Sequence, residues 1–287
     1  DAASSCGTFL LSRGKLALGT QKTPATASCR NPFMLFSCAL VAVASSSPRS
    51  ASKVGPALKL RGGGVSADDA RTVVASLMGL SSGIGYVYTD DMLKLYEFTD
   101  PVTPQTKFMS KMGFGASAVA AVLLLKPEFY VVALAGVIYS LADQSSEALD
   151  MPRYPLVAFA ILPFVFEWAM AQGHLPRWAL GAFLMAHGAS SIVAWDVVYG
   201  LYQAKAKLTK QSECIGKFLN GNVLASGVYL VSQAIGNTAA QSFGYWSAVM
   251  TVAGVKFLVD GKGVFNPAGG YVWIALYAAA ASIALTA

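Results

Sequence analysis

His187 lies in the apolar run FLMAHGASSIVAW and Glu167 in PFVFEWAMAQG, each the single ionisable group of its stretch. A charged side chain at the centre of a bilayer costs roughly 3 kcal/mol or more, so an ionisable residue in an apolar segment is by default a candidate for function. Imidazole and carboxylate can both supply the axial ligand to a chlorophyll magnesium. Asn222 is a further candidate for that role, on a polar stripe with Asn220, Ser226, Gln233 and Asn237. The competing reading is structural. Glu167 and His187 come from consecutive apolar segments and could face each other inside a bundle, or Glu167 could reach water at the interface.

Other chemistry finds no support in the residues. There is no P-loop, HExxH or dinucleotide fingerprint, and the chain is read as non-enzymatic. The four cysteines show no metal-ligand spacing, and three of them (Cys6, Cys29, Cys38) fall near the beginning of the chain. Lys256 in VAGVKFLVD raises a retinal Schiff-base question, but Asp260 and Lys262 put it near a helix end, where a Lys snorkels.

The elements that must position these residues are set by composition. The 287 residues are 55% hydrophobic and 13% charged, outside the range of a soluble globular domain. The net charge of +6 comes from the first 67 residues, where Arg13, Lys15, Lys22, Arg30, Arg49, Lys53, Lys59 and Arg61 meet one acid, Asp1. In the rest, acids and bases nearly balance, which excludes a polybasic nucleic-acid surface.

A bilayer needs about 20 apolar residues per helical crossing, somewhat fewer with snorkelling flanks. Eight candidate spans follow: Arg71 to Tyr88, Met109 to Leu125, Phe129 to Ala142, Tyr154 to Ala171, Trp178 to Tyr199, Gly216 to Ile235, Tyr245 to Val259 and Gly270 to Thr286. Pro127, Pro152, Pro155, Pro176 and Pro267 punctuate them, as expected of linkers and helix starts. Loops after the odd-numbered spans hold ten Lys/Arg, among them Lys94, Lys107, Arg153, Lys205 and Lys262, against Arg71, Lys126 and Arg177 opposite. The positive-inside rule then gives an even number of crossings with both termini on the far side.

Tyr96 to Leu125 aligns without gaps on Tyr202 to Val231, matching Tyr96/Tyr202, Thr103/Thr209, Gln105/Gln211, Lys111/Lys217 and Gly115/Gly221, with Thr106/Ser212 conservative. Asp91 and Asp196 correspond if one residue is inserted. The expected fold is an all-α polytopic membrane bundle built as two tandem four-helix units, residues 65–172 and 173–287, related by an axis along the membrane normal.

Residues 1–64 read as a leader. Met34 is the expected true start, followed by an apolar run to Ala44, a small-residue stop, and a basic Ser-rich stretch ending in ALKLRGGG. Two targeting signals in tandem resemble the bipartite presequences of nuclear-encoded plastid proteins in algae with secondary plastids, and the LKLRGG ending resembles leaders of the red lineage. That resemblance implies a multi-pass thylakoid protein, with chlorophyll and carotenoid as possible cofactors and photosystem and antenna subunits, besides lipid, as partners. Light-harvesting proteins carry paired Glu/Arg helices; no such pair occurs here, and membership of that family is excluded. An accessory photosystem–antenna subunit is the leading expectation, and a small-molecule or ion transporter of two repeats the alternative.

Overall fold

Ser66 opens the first helix: its hydroxyl accepts from the Asp69 N–H, and Asp68 and Asp69 occupy the first turn, where the helix dipole favours acids. The computed structural model describes residues 65–286. The leader, with Met34, lies outside the described residues. Helix α1 (Ala67–Val87) is followed by the short α2 (Thr89–Leu95), then α3 (Pro104–Leu125), a 3-10 turn, α4 (Tyr130–Ala142), the short α5 (Ser145–Leu149) and α6 (Tyr154–Ala171). The second half holds α7 (Ala179–Val193), the short α8 (Trp195–Leu201), α9 (Lys210–Ala234), α10 (Ala239–Asp260) and α11 (Ala268–Thr286). Every described element is helical.

Four helices are long and apolar enough to cross a bilayer on their own: α3, α6, α10 and α11. The α7–α8 pair makes a fifth if its 119° bend is counted as one broken span. This is fewer than the eight crossings expected from sequence. Helix α4 has only 13 residues. Helices α1 and α9 have 21 and 25 residues, ample length at 1.5 Å per residue, but carry more polar groups. The reason in α9 is its position. It packs against α7, α10 and α3 at the centre of the bundle, where it has little lipid to face. The expected single span Trp178 to Tyr199 is broken at Ala194, without Gly or Pro at the break.

Backbone features recur 106 positions apart. Tyr88 (φ −110°, ψ 48°) and Ala194 (φ −124°, ψ 52°) each break a helix and begin a seven-residue one. Glu97 and Gln203 then turn left-handed, at φ 47° and 59°. Thr103 and Thr209 cap α3 and α9, accepting from the N–H groups of Thr106 and Ser212. In this frame Asp90, not Asp91, holds the place of Asp196: each is the second residue of its short helix, with no insertion.

The two halves interleave. One core cluster draws on both, α3 packs on α9, and α1 packs on α11. The loops at one end are stitched in crossed pairs. The Thr99 N–H donates to Val264 O (3.0 Å) and the Asn266 N–H to Tyr96 O (2.8 Å), while the Lys205 N–H donates to Leu149 O (3.3 Å). The loop after α2 is thereby joined to the loop after α10, and the loop after α8 to the end of α5. Outward faces carry large apolar side chains, including Val132, Ile161, Val252 and Val259, which is compatible with a multi-pass membrane protein.

Candidate functional site

Glycine sets the position of His187. A Cβ on Gly227 of α9 would lie 2.6 Å from both Gly181 O and Met185 N of α7, and a Cβ on Gly188 would lie 2.6 Å from Leu224 N. With no side chain at these points the two backbones touch, and α7 is pressed onto α9 along its length. His187, the neighbour of Gly188, is directed instead toward α6.

There the imidazole is surrounded by rings. Phe159 of α6 lies 4.9 Å away between centroids, Phe183 stacks at 6.2 Å, and Tyr202 meets it edge-on at 6.0 Å. The Tyr202 Oη and His187 Nε2 are 3.4 Å apart, at the long limit of a hydrogen bond. Tyr202 reaches His187 because the bend at Ala194 folds α8 back beneath α7. The Ser191 hydroxyl donates to His187 O at 2.8 Å, so it does not form a nucleophile–base pair with the ring.

These side chains border a cavity of about 110 Å³ between α3, α4, α6, α7, α8 and α9, walled mainly by apolar groups such as Phe108, Met112 and Val223. Asn220 also lines it, its amide donating to Gly216 O within its own helix. Trp195 lines it as well, and its indole N–H is buried without an acceptor. The volume is below the roughly 300–1,000 Å³ of pockets that enclose drug-sized ligands, so a tetrapyrrole macrocycle does not fit inside.

A second cavity of about 120 Å³ lies across the bundle. Ser81, Met92, Leu93, Tyr96, Gly113, Phe114 and Ser117 line it, each 106 positions before a residue lining the first: His187, Val198, Tyr199, Tyr202, Leu219, Asn220 and Val223.

The three residues singled out from sequence are not brought together. Glu167 is exposed on the outer face of α6, beside exposed Phe164, Val165 and Trp168, and no hydrogen bond or ion pair joins it to His187. Asn222 is 1% exposed within α9, and neither its Oδ1 nor its Nδ2 has a partner. The rest of the polar stripe is served largely within α9, as in the donation from Gln233 to the Tyr229 hydroxyl at 3.0 Å. Lys256 pairs with Asp260 at 3.0 Å and is half exposed, in keeping with a snorkelling role. Among the described residues, no group of three or more His, Cys, Asp or Glu could hold a metal ion.

Sequence reasoning missed Phe159 and Tyr202 as neighbours of His187, and Trp195 as a wall of the same cavity. The Tyr96/Tyr202 match was the available signal, since it marked Tyr202 as a position used twice. No protein-family model, curated protein or solved structure matches the chain.

Proposed function

We propose that the chain is a non-enzymatic multi-pass protein of eight membrane-embedded helices in two tandem four-helix units. In this reading it serves as an accessory subunit of a photosystem–antenna assembly in a red-lineage thylakoid, with any chlorophyll or carotenoid held at its surface. The observation that carries the subunit reading is Glu167, exposed on an apolar face with Phe164, Val165 and Trp168. A carboxylate on a lipid-facing surface is costly until a donor from a neighbouring helix, or a pigment magnesium, meets it. The recurrence of breaks, caps and cavities at one offset supports the two units, and the leader supports the compartment.

The test is mild solubilisation followed by native electrophoresis. Wild type is expected to comigrate with chlorophyll-containing complexes, with Glu167→Gln released from them. Recovery of wild type as a colourless free species overturns the reading. N-terminal sequencing of the mature protein checks the compartment, with a start between Gly62 and Val65 expected.

The paired cavities favour one alternative, a carrier of small lipophilic molecules. In that case His187→Leu abolishes proteoliposome uptake of such compounds while any comigration persists.

A further inference from the structure

The two cavities are alike in shape and unlike in chemistry. Beside the first stand an imidazole at 187, a phenol at 202 and an indole at 195. The positions 106 residues earlier are Ser81 and Tyr96, which line the second cavity, and Thr89, which does not. Ser81 returns its hydroxyl to Met78 O (3.2 Å) in its own helix, and Thr89 donates to Gly85 O (2.8 Å) at the end of the preceding one. Apart from the half-buried Trp273 indole, the second cavity's remaining polar side chains are hydroxyls, including that of Ser110, which has no partner. A hydroxyl can turn to a nearby carbonyl on its own helix; an indole N–H cannot. Trp195 therefore keeps a buried donor with nothing to receive it, and a buried donor without an acceptor is rare in folded proteins. Close by, the Tyr202–His187 contact at 3.4 Å is loose enough to be exchanged for a better one.

Size and access narrow the occupant. An apolar cavity of about 150 Å³ accepts a benzene ring, and the void here is about 110 Å³ with half-buried side chains at its margin. Between α6 and α7 the seam is made of rings, Phe159 and Phe166 facing Phe183 and His187. Phe159 lines the cavity, is half-buried and packs on the imidazole, so it stands between His187 and the outer side of this seam. The second cavity also has an indole, that of Trp273, but it is half-buried, and its N–H is not a buried donor left without an acceptor as that of Trp195 is.

The geometry points to the His187 cavity as a binding site for a lipophilic carbonyl compound with a head the size of a single ring. Such a ligand enters from the bilayer past Phe159, and its oxygen accepts from the Trp195 indole and from the His187–Tyr202 pair. The cavity on the Ser81 side is its unspecialised counterpart. This assignment does not depend on which membrane or assembly the chain serves.

The full chain in lipid nanodiscs tests it with two probes of matched shape, acetophenone and isopropylbenzene, the second lacking oxygen. Binding is read by saturation-transfer NMR and tryptophan quenching, corrected for partition into lipid without protein. Acetophenone is expected to bind saturably and about tenfold more tightly than isopropylbenzene, the size of effect that one or two buried hydrogen bonds confer. Trp195→Phe, which keeps a ring and removes the donor, and His187→Leu are each expected to weaken acetophenone about five- to tenfold and to leave isopropylbenzene unchanged. Ser81→Ala is expected to bind as wild type, and thermal unfolding of each variant confirms that it is folded. Equal affinity for the two probes, absence of saturable binding, acetophenone binding untouched by both His187→Leu and Trp195→Phe, or an equal loss in Ser81→Ala overturns the proposal.

Discussion

The hydroxyls of Thr106 and Ser212 lie 3.2 Å apart, fully buried, where the first turns of α3 and α9 meet. Each is also held by the cap of its own helix, Thr103 to Thr106 at 3.0 Å and Thr209 to Ser212 at 2.7 Å. This pair joins α3 to α9, and the cavities on either side of the two helices share lining positions at the same offset of 106 residues.

Removing either hydroxyl should be costly at this point. Thr106→Val and Ser212→Ala are each expected to lower stability by about 1 kcal/mol, because each leaves buried partners unpaired. Thr106 also donates to Gln211 Oε1 at 3.1 Å, so its replacement should be the worse of the two. Thermal unfolding in detergent measures both, and a double-mutant cycle should return a positive coupling. Strict additivity would mean that the two hydroxyls do not interact.

The α7–α9 contact makes a sharper demand. Gly227→Leu places a side chain where backbone atoms already stand 2.6 Å from a Cβ, so the helices must separate, and a loss of about 3 kcal/mol is expected, the upper end of overpacking. Gly136→Ala in α4 is the control. Its Cβ would meet nothing within 4 Å, and an effect within about 1 kcal/mol is expected, in the direction of greater stability. Yield of folded protein and its unfolding midpoint separate the two.

How far the sequence carries this fold can be judged at individual residues. Proline marks linkers and helix starts at Pro127 and Pro155, because that signal acts within one turn of chain. Thr103 and Thr209 stand out only as a matched pair, and the spans read from hydropathy begin later, at Met109 and Gly216, than the helices they cap. The break at Ala194 is invisible, since neither neighbour is Gly or Pro and the bend is stabilised by packing from elsewhere. The Tyr202–His187 contact depends on that break and could not be read from spacing. The polar residues of α9 read as a stripe with a candidate ligand on it, yet Asn220 donates to Gly216 O, four residues back on the same helix. Hydropathy alone therefore misjudges a helix that neighbours, not lipid, surround.

Asn222 divides a ligand role from a structural cost. Its amide is buried with no partner for oxygen or nitrogen, a state that costs about 1–3 kcal/mol. Asn222→Leu, of similar volume and without polar atoms, is expected to leave stability unchanged or to raise it by up to about 2 kcal/mol. Asn222→Asp introduces an unpaired charge at the same place and is expected to cost about 3 kcal/mol or more. Loss of bound pigment in purified Asn222→Leu, with stability maintained, would reassign this residue as a ligand.

Gln203 offers a test at the surface. It is exposed and sits at φ 59°, the left-handed region, directly after the α8 cap residue Tyr202. For an L-residue this region carries a cost of roughly 1–2 kcal/mol, highest for β-branched side chains. Gln203→Val should therefore destabilise by about 1 kcal/mol or more, whereas Gln203→Gly should be neutral to mildly stabilising, the relief of strain offset in part by added freedom in the unfolded chain. Glu97, at φ 47° in the first half, differs because its Oε2 accepts from Asn266 Nδ2 at 2.8 Å. Glu97→Gly gives up that link between the α2 and α10 loops and should gain less than Gln203→Gly. Equal gains at the two sites, measured by unfolding midpoint, would show that the Glu97–Asn266 bond contributes nothing to joining the halves.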